Sequence, residues 1–230
     1  MAIVIVLLVA GGSGAYLYAT RPQTHSTTST SISSETTFAN TPCSSPTTSA
    51  TTSGSSSEYA LICTNLGLIE VELYLQDAPK TVANFISLAQ AGDYNDLVWH
   101  RIVPGFVIQT GDPGTKNGGG NRSTWGQGDS GSNVPFEGPP ANNLTNIAGS
   151  VALASTGAGV GGASQFYINL VNNPSLDGNY AVFGQVIGGM SVVNALAAVP
   201  IYTSSSSPYY DQPTSADSAY IVSVTIQSTP

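Results

Sequence analysis

Residues 94–112, YNDLVWHRIVPGFVIQTGD, constrain what this chain can fold into more than any other stretch. Val98, Trp99, Ile102, Val103, Phe106, Val107 and Ile108 are β-branched or aromatic, and Pro104-Gly105 interrupts them. That pattern predicts two strands joined by a turn. One cation, Arg101, stands in the middle of the run. A guanidinium in such a setting is costly unless it is paired or used. The chain has only five Lys and Arg in 230 residues, so a casual cation here is improbable.

The scarcity of charge excludes some functions. Charged residues make up 8% of the chain and the net charge is −8, against an ordinary content of about 25%. Nucleic acid is excluded as a partner, because phosphates require a basic stripe. Ser, Thr, Asn, Gly and Tyr must cover the surface instead. A surface so poor in carboxylates changes its charge little as pH falls, which suits an acidic exterior.

Residues 2–19 contain no charged side chain. Eighteen residues are just enough to cross a bilayer, where about 17–25 are needed. Gly11, Gly12, Ser13 and Gly14 weaken the span, and its strongly apolar part has the length of a secretory hydrophobic region. Residues 1–20 are therefore expected to be a signal peptide or a membrane anchor, with membrane attachment possible through residues 2–19. Residues 21–57 read as a flexible, disordered linker: 23 of the 35 residues from 23 to 57 are Ser or Thr, too little apolar surface to offset ordering entropy. The expected location is extracellular or cell-surface, anchored or secreted. An exported chain with two cysteines often pairs them. A Cys43–Cys63 bridge would tie the linker to the domain; two free thiols with Cys63 buried are the alternative.

From residue 58 the pattern turns to strands. YALICTN and LGLIEVELYL predict a hairpin turning near residues 65–67. A helix is expected from residue 78 to 89. Asp77 is its expected N-cap, Pro79 lies in its first turn, and Val82, Phe85, Ile86 and Ala89 form its apolar face. Gly92 is its expected stop. Further strands are expected at residues 147–155, 163–170 and 219–227, with a second helix over about 189–198. A glycine-rich loop follows Asp112. It lacks the Gly-Lys-Ser/Thr ending of a phosphate-binding loop. His100, Asp112 and Ser130 fall in His-Asp-Ser order, but 30 residues between His100 and Ser130 are too few for two barrels to assemble a triad.

WHRIVPGFVIQTGD, residues 99–112, resembles the signature segment of the cyclophilins, the peptidyl-prolyl cis-trans isomerases. ASQFYINL, residues 163–170, is similar to the family's second signature, with Ala163 for Gly and Tyr167 for a second Phe. LDGNYAVFGQV, residues 176–186, resembles its Leu-Asp-Gly-x-x-x-Val-Phe-Gly-x-Val segment. The resemblance covers residues 58–230 as one isomerase domain. It implies a mainly β fold, a closed eight-stranded antiparallel barrel capped by two α-helices, with the site on the outer face. It also implies an isomerase acting on X–Pro bonds, assisting folding without a cofactor or metal; with the reading of residues 1–20, the expected substrates are exported or surface polypeptides.

The same resemblance implies roles. Arg101 would donate to the prolyl nitrogen, Gln109 would orient Arg101, and Phe106 would complete the catalytic group. Val107, Phe166 and Leu176 would line the proline pocket with Phe106, and Tyr180 would stand at its rim. Ala154 and Ser155 would flank the residue before proline, Gly118 and Gly119 would border a side pocket, and Gln165 would complete the polar wall. Ser175 stands where many members carry Trp, which argues against tight cyclosporin binding. The alternative reading is a catalytically weak proline-binding or chaperone module tethered outside the cell.

Overall fold

The hairpin forms where the alternation places it. β1 (Glu58–Thr64) and β2 (Gly67–Leu73) pair antiparallel, from Glu58 opposite Leu73 to Thr64 opposite Gly67. The tight connection is held by Thr64, whose Oγ1 donates to the Gly67 carbonyl at 2.7 Å and accepts from the Leu66 N–H at 3.2 Å. The structure, a computed structural model, describes Cys43 and residues 57–131, 133–139 and 141–228. The apolar segment 2–19, and the linker apart from Cys43 and Ser57, lie outside the described residues. Among the described residues no helix is long and apolar enough to cross a membrane.

The remaining strands are β3 (Arg101–Val103), β4 (Val107–Thr110), β5 (Ser150–Leu153), β6 (Phe166–Asn169), β7 (Val182–Gly188) and β8 (Ile221–Gln227). All eight form one antiparallel sheet in the order β3-β4-β6-β5-β7-β2-β1-β8. The sheet curls, but the closed ladder expected from sequence is not what the pairing gives. Its two ends meet through an isolated bridge, Val98 to Tyr220, flanked by Trp99 N–H to the Ala219 carbonyl at 3.0 Å and Ile221 N–H to Leu97 at 2.8 Å. β3 is too short to extend this bridge. Its outward Ile102 N–H is taken instead by the Asp211 carbonyl at 2.7 Å, so a loop covers the open edge.

Two helices pack against the sheet: α1 (Pro79–Ala91) on β8, and α2 (Met190–Ala197) on β2 and β4. α1 buries Val82, Phe85, Leu88 and Ala89, and ends at Gly92 with φ 76°, as its spacing requires. Its beginning differs from expectation. The N-cap is Ala78, and no side chain of the local sequence caps it. The buried carboxylate of Glu137 does so from a distant loop. It accepts from Lys80 N–H at 3.1 Å, from Thr81 N–H at 2.7 Å and from the Thr81 hydroxyl at 2.9 Å. A charged acceptor on the free N–H groups of a helix start stabilises it, and here that carboxylate comes from Glu137 and not from Asp77.

Strand alternation divides the residues between two faces. Phe166, Ile168, Ile102 and Ile108 point into the main core with Phe85, Tyr94, Trp99 and Phe183. Val107, Ala152, Tyr167 and Val182 point outward and form a separate buried cluster. Cys43 and Cys63 form a disulfide with Cα atoms 5.8 Å apart, tying Cys43 to β1. This resolves the alternative of two free thiols.

Candidate active site

The outward cluster lies in a register row that crosses five strands. Arg101 faces Gln109, Gln109 faces Tyr167, Tyr167 faces Ala152, and Ala152 faces Val182. Neighbouring strands are about 4.8 Å apart. One row therefore carries a guanidinium, a carboxamide and an aromatic ring at successive steps on a single face. Ala152 is the small member, and it leaves a depression between Tyr167 and Val182. Phe106, Leu144, Ala154, Leu176 and Tyr180 pack partly buried around that depression. Turn residues position two of them: Phe106 follows Pro104-Gly105, and Leu176 ends a 3-10 turn at Pro174–Leu176.

The structure thus brings together Arg101, Phe106, Val107, Gln109, Ala154, Leu176 and Tyr180 from the residues expected by resemblance. Phe166 does not belong there. It is fully buried in the interior core, edge-on to Phe85, Tyr94 and Trp99 at centroid distances of 5.4, 5.4 and 5.9 Å. Its neighbour Tyr167 occupies the outer face, because consecutive strand residues point opposite ways. Gln109 and Val107 are two apart on one face, and of Phe166 and Tyr167 only Tyr167 shares their parity across the β4–β6 register.

Tyr167 carries a hydroxyl where apolar surface surrounds it, and the fold provides for it. Its O–H donates to Asn146 Oδ1 at 2.8 Å, and Asn146 in turn is held by Asp177 and Asn169. Burial raises the phenol well above its ordinary range, so it stays a neutral donor. The Tyr167 ring meets Tyr180 edge-on at 5.9 Å. The Tyr180 hydroxyl makes no hydrogen bond among the described residues and is free for a ligand.

Arg101 is half-exposed, with 42% of its side chain accessible, and its Nε lies 3.8 Å from Asp211 Oδ2. Gln109 does not bond to it. The Gln109 Nε2 donates to Gln165 Oε1 at 2.9 Å, and the Gln165 Nε2 donates to the Gly126 and Gly128 carbonyls at 3.0 and 2.7 Å. Gln165 therefore fixes Gln109 as a rigid wall. This close approach needs Gly111, at φ 94°, because a Cβ there would sit 2.3 Å from the Ser164 carbonyl oxygen.

A second pocket adjoins the apolar one, sharing Gln109 and Ala154. Ser155, Thr156, Gln165, Gly126, Gln127 and Asp129 complete its lining. Gly118 and Gly119, expected from sequence at this border, are not among the lining residues: they lie where the 3-10 segment Pro113–Gly118 ends. Gly126 is the bordering glycine. Ser175 is exposed, and its carbonyl accepts from Asn179 Nδ2 at 3.1 Å.

The protease-like residues have structural duties. Asp112 is buried and accepts from the N–H groups of Gly114, Gly126 and Gly128 at 2.7, 2.5 and 3.3 Å, anchoring the glycine-rich loop. His100 is buried, and neither ring nitrogen has a hydrogen-bond partner; the nearby Gln165 amide is spent on the Gly126 and Gly128 carbonyls. Burial lowers the His100 pKa to about 4, the Asp112 charge opposing the fall. The unfolded value is about 6.5, so between these values the unfolded chain binds the extra proton. Stability is present above pH 6.5 and lost as pH falls toward 4, by about 3 kcal/mol in total. Urea unfolding at pH 7 and pH 4 checks this. The loss is expected to be smaller in His100→Met by that amount, and an equal loss in both proteins would contradict it.

The comparisons with known proteins give the family and the fold. Residues 59–225 match the family described as cyclophilin type peptidyl-prolyl cis-trans isomerase/CLD. A peptidyl-prolyl cis-trans isomerase-like 2 of Cryptococcus neoformans is 38% identical over 159 residues, which cover 68% of this chain and 26% of that protein. The chain thus spans about a quarter of that relative's length. A peptidyl-prolyl cis-trans isomerase-like 3 of Rattus norvegicus is 35% identical over 168 residues, 73% of this chain and 94% of the relative. Among solved structures, a cyclophilin type isomerase of Cryptosporidium parvum superposes with a TM-score of 0.61 at 29% identity, covering 76% of this chain and 99% of its own. The same protein was solved in the presence of the dipeptide Ala-Pro, also at a TM-score of 0.61.

Proposed function

This chain belongs to the cyclophilin-type peptidyl-prolyl cis-trans isomerases, and we propose that it catalyses rotation about X–Pro bonds of polypeptides. The observation that carries the proposal is the register row: a guanidinium two strands away from the floor of an apolar depression, with nothing but Gln109 between them. Peptide rotation is opposed by C–N double-bond character, a barrier of about 18–20 kcal/mol. Lowering it needs neither nucleophile nor proton acceptor. It needs a site that holds the twisted amide better than the planar one.

The residues divide that work. Val107, Tyr167, Ala152 and Val182 would form the floor under the pyrrolidine ring, with Phe106 and Leu176 as walls. Twisting breaks amide resonance and returns a lone pair to the prolyl nitrogen. A guanidinium donating to that lone pair stabilises the twisted state selectively, and Arg suits the task because it stays charged and its donors form a rigid fork. Gln109, locked by Gln165, would meet the substrate backbone, and the free Tyr180 hydroxyl would donate to the carbonyl. Ala154 and Ser155 would flank the chain before proline. Ser175 offers no ring to cyclosporin, and weak binding of that drug is expected. The test is relaxation of a cis-enriched X–Pro peptide with the full-length protein. Relaxation faster than the uncatalysed rate supports the reading; an unchanged rate with folded protein ends it.

The same reading places the enzyme outside the cell, secreted or anchored through residues 2–19, assisting the folding of exported or surface polypeptides. What supports it is the Cys43–Cys63 disulfide, since such bonds persist in oxidising compartments and are rare in the cytosol. Alkylation of protein taken directly from its cells should leave both cysteines unmodified. Two alkylated thiols would count against export.

A further inference from the structure

A polar insertion between α2 and β8, residues 203–217, brings the Asp211 side chain to Arg101. The resemblance implied that Gln109 orients Arg101, but Gln109 donates to Gln165 instead. Arg101 is half-exposed and long, so without a partner its head would sample many rotamers. Asp211 Oδ2 lies 3.8 Å from Arg101 Nε. A carboxylate beside Nε occupies one edge of the planar guanidinium and leaves the opposite edge to a ligand over the depression.

Asp211 is itself held from several sides. Its carbonyl accepts from Ile102 N–H on β3 at 2.7 Å, one residue along from Arg101, and its own N–H donates to Tyr202 at 3.0 Å. Its φ of 63° is left-handed, a conformation that Asp and Asn tolerate better than most residues. The following residues are clamped by Arg122, which donates from Nη1 to Thr214 at 3.3 Å and from Nη2 to Pro213. The Arg122 guanidinium lies over Trp125, Tyr202 and Tyr209 at 4.7, 5.5 and 5.6 Å. Gln212 Nε2 closes the loop onto the Arg122 carbonyl at 2.8 Å. The insertion is thus a braced arm whose one inward carboxylate meets Arg101.

We propose that Asp211 is a positioning residue for Arg101 in the isomerase reaction. The inference rests on the isomerase reading and deepens it: the loop that covers the open edge of β3 also presets the catalytic cation. The charge of Asp211, not its shape, does this.

Asp211→Asn keeps shape and left-handed backbone while removing the charge, and Asp211→Gly keeps the backbone alone. Both are expected to lower kcat about tenfold or more with KM within twofold of wild type, and Asp211→Glu is expected to recover part of the loss. The Arg101 Nε–H resonance in a proton–nitrogen NMR spectrum of the full chain supplies an independent readout. It is expected to shift or broaden in Asp211→Asn while other arginine signals stay in place. Wild-type kcat in Asp211→Asn, or an unmoved Arg101 resonance, overturns the proposal. A wild type with no isomerase activity ends the isomerase reading, and the resonance then still judges the positioning on its own.

Discussion

Arg101→Ala is expected to lower kcat/KM for X–Pro isomerisation by about 10²- to 10³-fold, the range for removing one donor aimed at developing charge. That corresponds to roughly 3–4 kcal/mol of transition-state stabilisation. The loss should fall almost wholly on kcat. A planar prolyl amide has its nitrogen lone pair in resonance and offers the guanidinium little, so ground-state binding by the apolar floor survives. The fold should survive as well, because the Arg101 side chain is half-exposed and its single ion pair to Asp211 is partly solvated. Exposed pairs of that kind contribute about 0–1 kcal/mol. Arg101→Lys should recover little, since an ammonium lacks the planar fork that presents one edge to Asp211 and another to the substrate. Circular dichroism and kinetics on the same preparations check the prediction. An Ala variant retaining half of wild-type kcat/KM would remove Arg101 from the mechanism.

Much of this site was legible in the sequence because its signals are local. The run around Arg101 fixes a strand, a Pro-Gly turn and a second strand, and the antiparallel pairing then sets Arg101 opposite Gln109 without further information. The hairpin of β1 and β2 and the glycine stop of α1 follow in the same way from period and turn chemistry. What escaped was long-range. Glu137 caps α1 from 56 residues away in sequence, and no local pattern announces a cap delivered from another loop. Asp211 reaches Arg101 from the polar insertion between α2 and β8, and its pairing depends on how the curled sheet leaves the edge of β3 open. The continuous closed ladder failed as an expectation for the same reason: three residues of β3 cannot carry it, and a loop takes the outward Ile102 N–H.

The assignment of Phe166 failed differently, and it leads to the second large effect. A resemblance supplies residue types in order, whereas the face of a strand is decided by parity, and one step of slippage exchanges core for surface. Phe166→Ala is therefore expected to cost about 3–5 kcal/mol of unfolding free energy, toward the upper end. The ring is fully buried and meets Phe85, Tyr94 and Trp99 edge-on; each such contact adds about 0.5–1.5 kcal/mol beyond area burial. Folded molecules of that variant should still isomerise, because the outward row from Arg101 to Val182 does not include it. Tyr167→Ala differs in that it should also cost activity per folded molecule. It opens the floor of the depression, so KM for proline peptides should rise severalfold in the molecules that fold, and because the ring is buried and its hydroxyl donates to Asn146, stability falls as well. Urea midpoints and kcat/KM per folded molecule for the two variants decide the matter. If Phe166→Ala lost activity without losing stability, the pocket would have to be rebuilt around the interior face of β6, and the assignment of Tyr167 to the substrate side would be wrong.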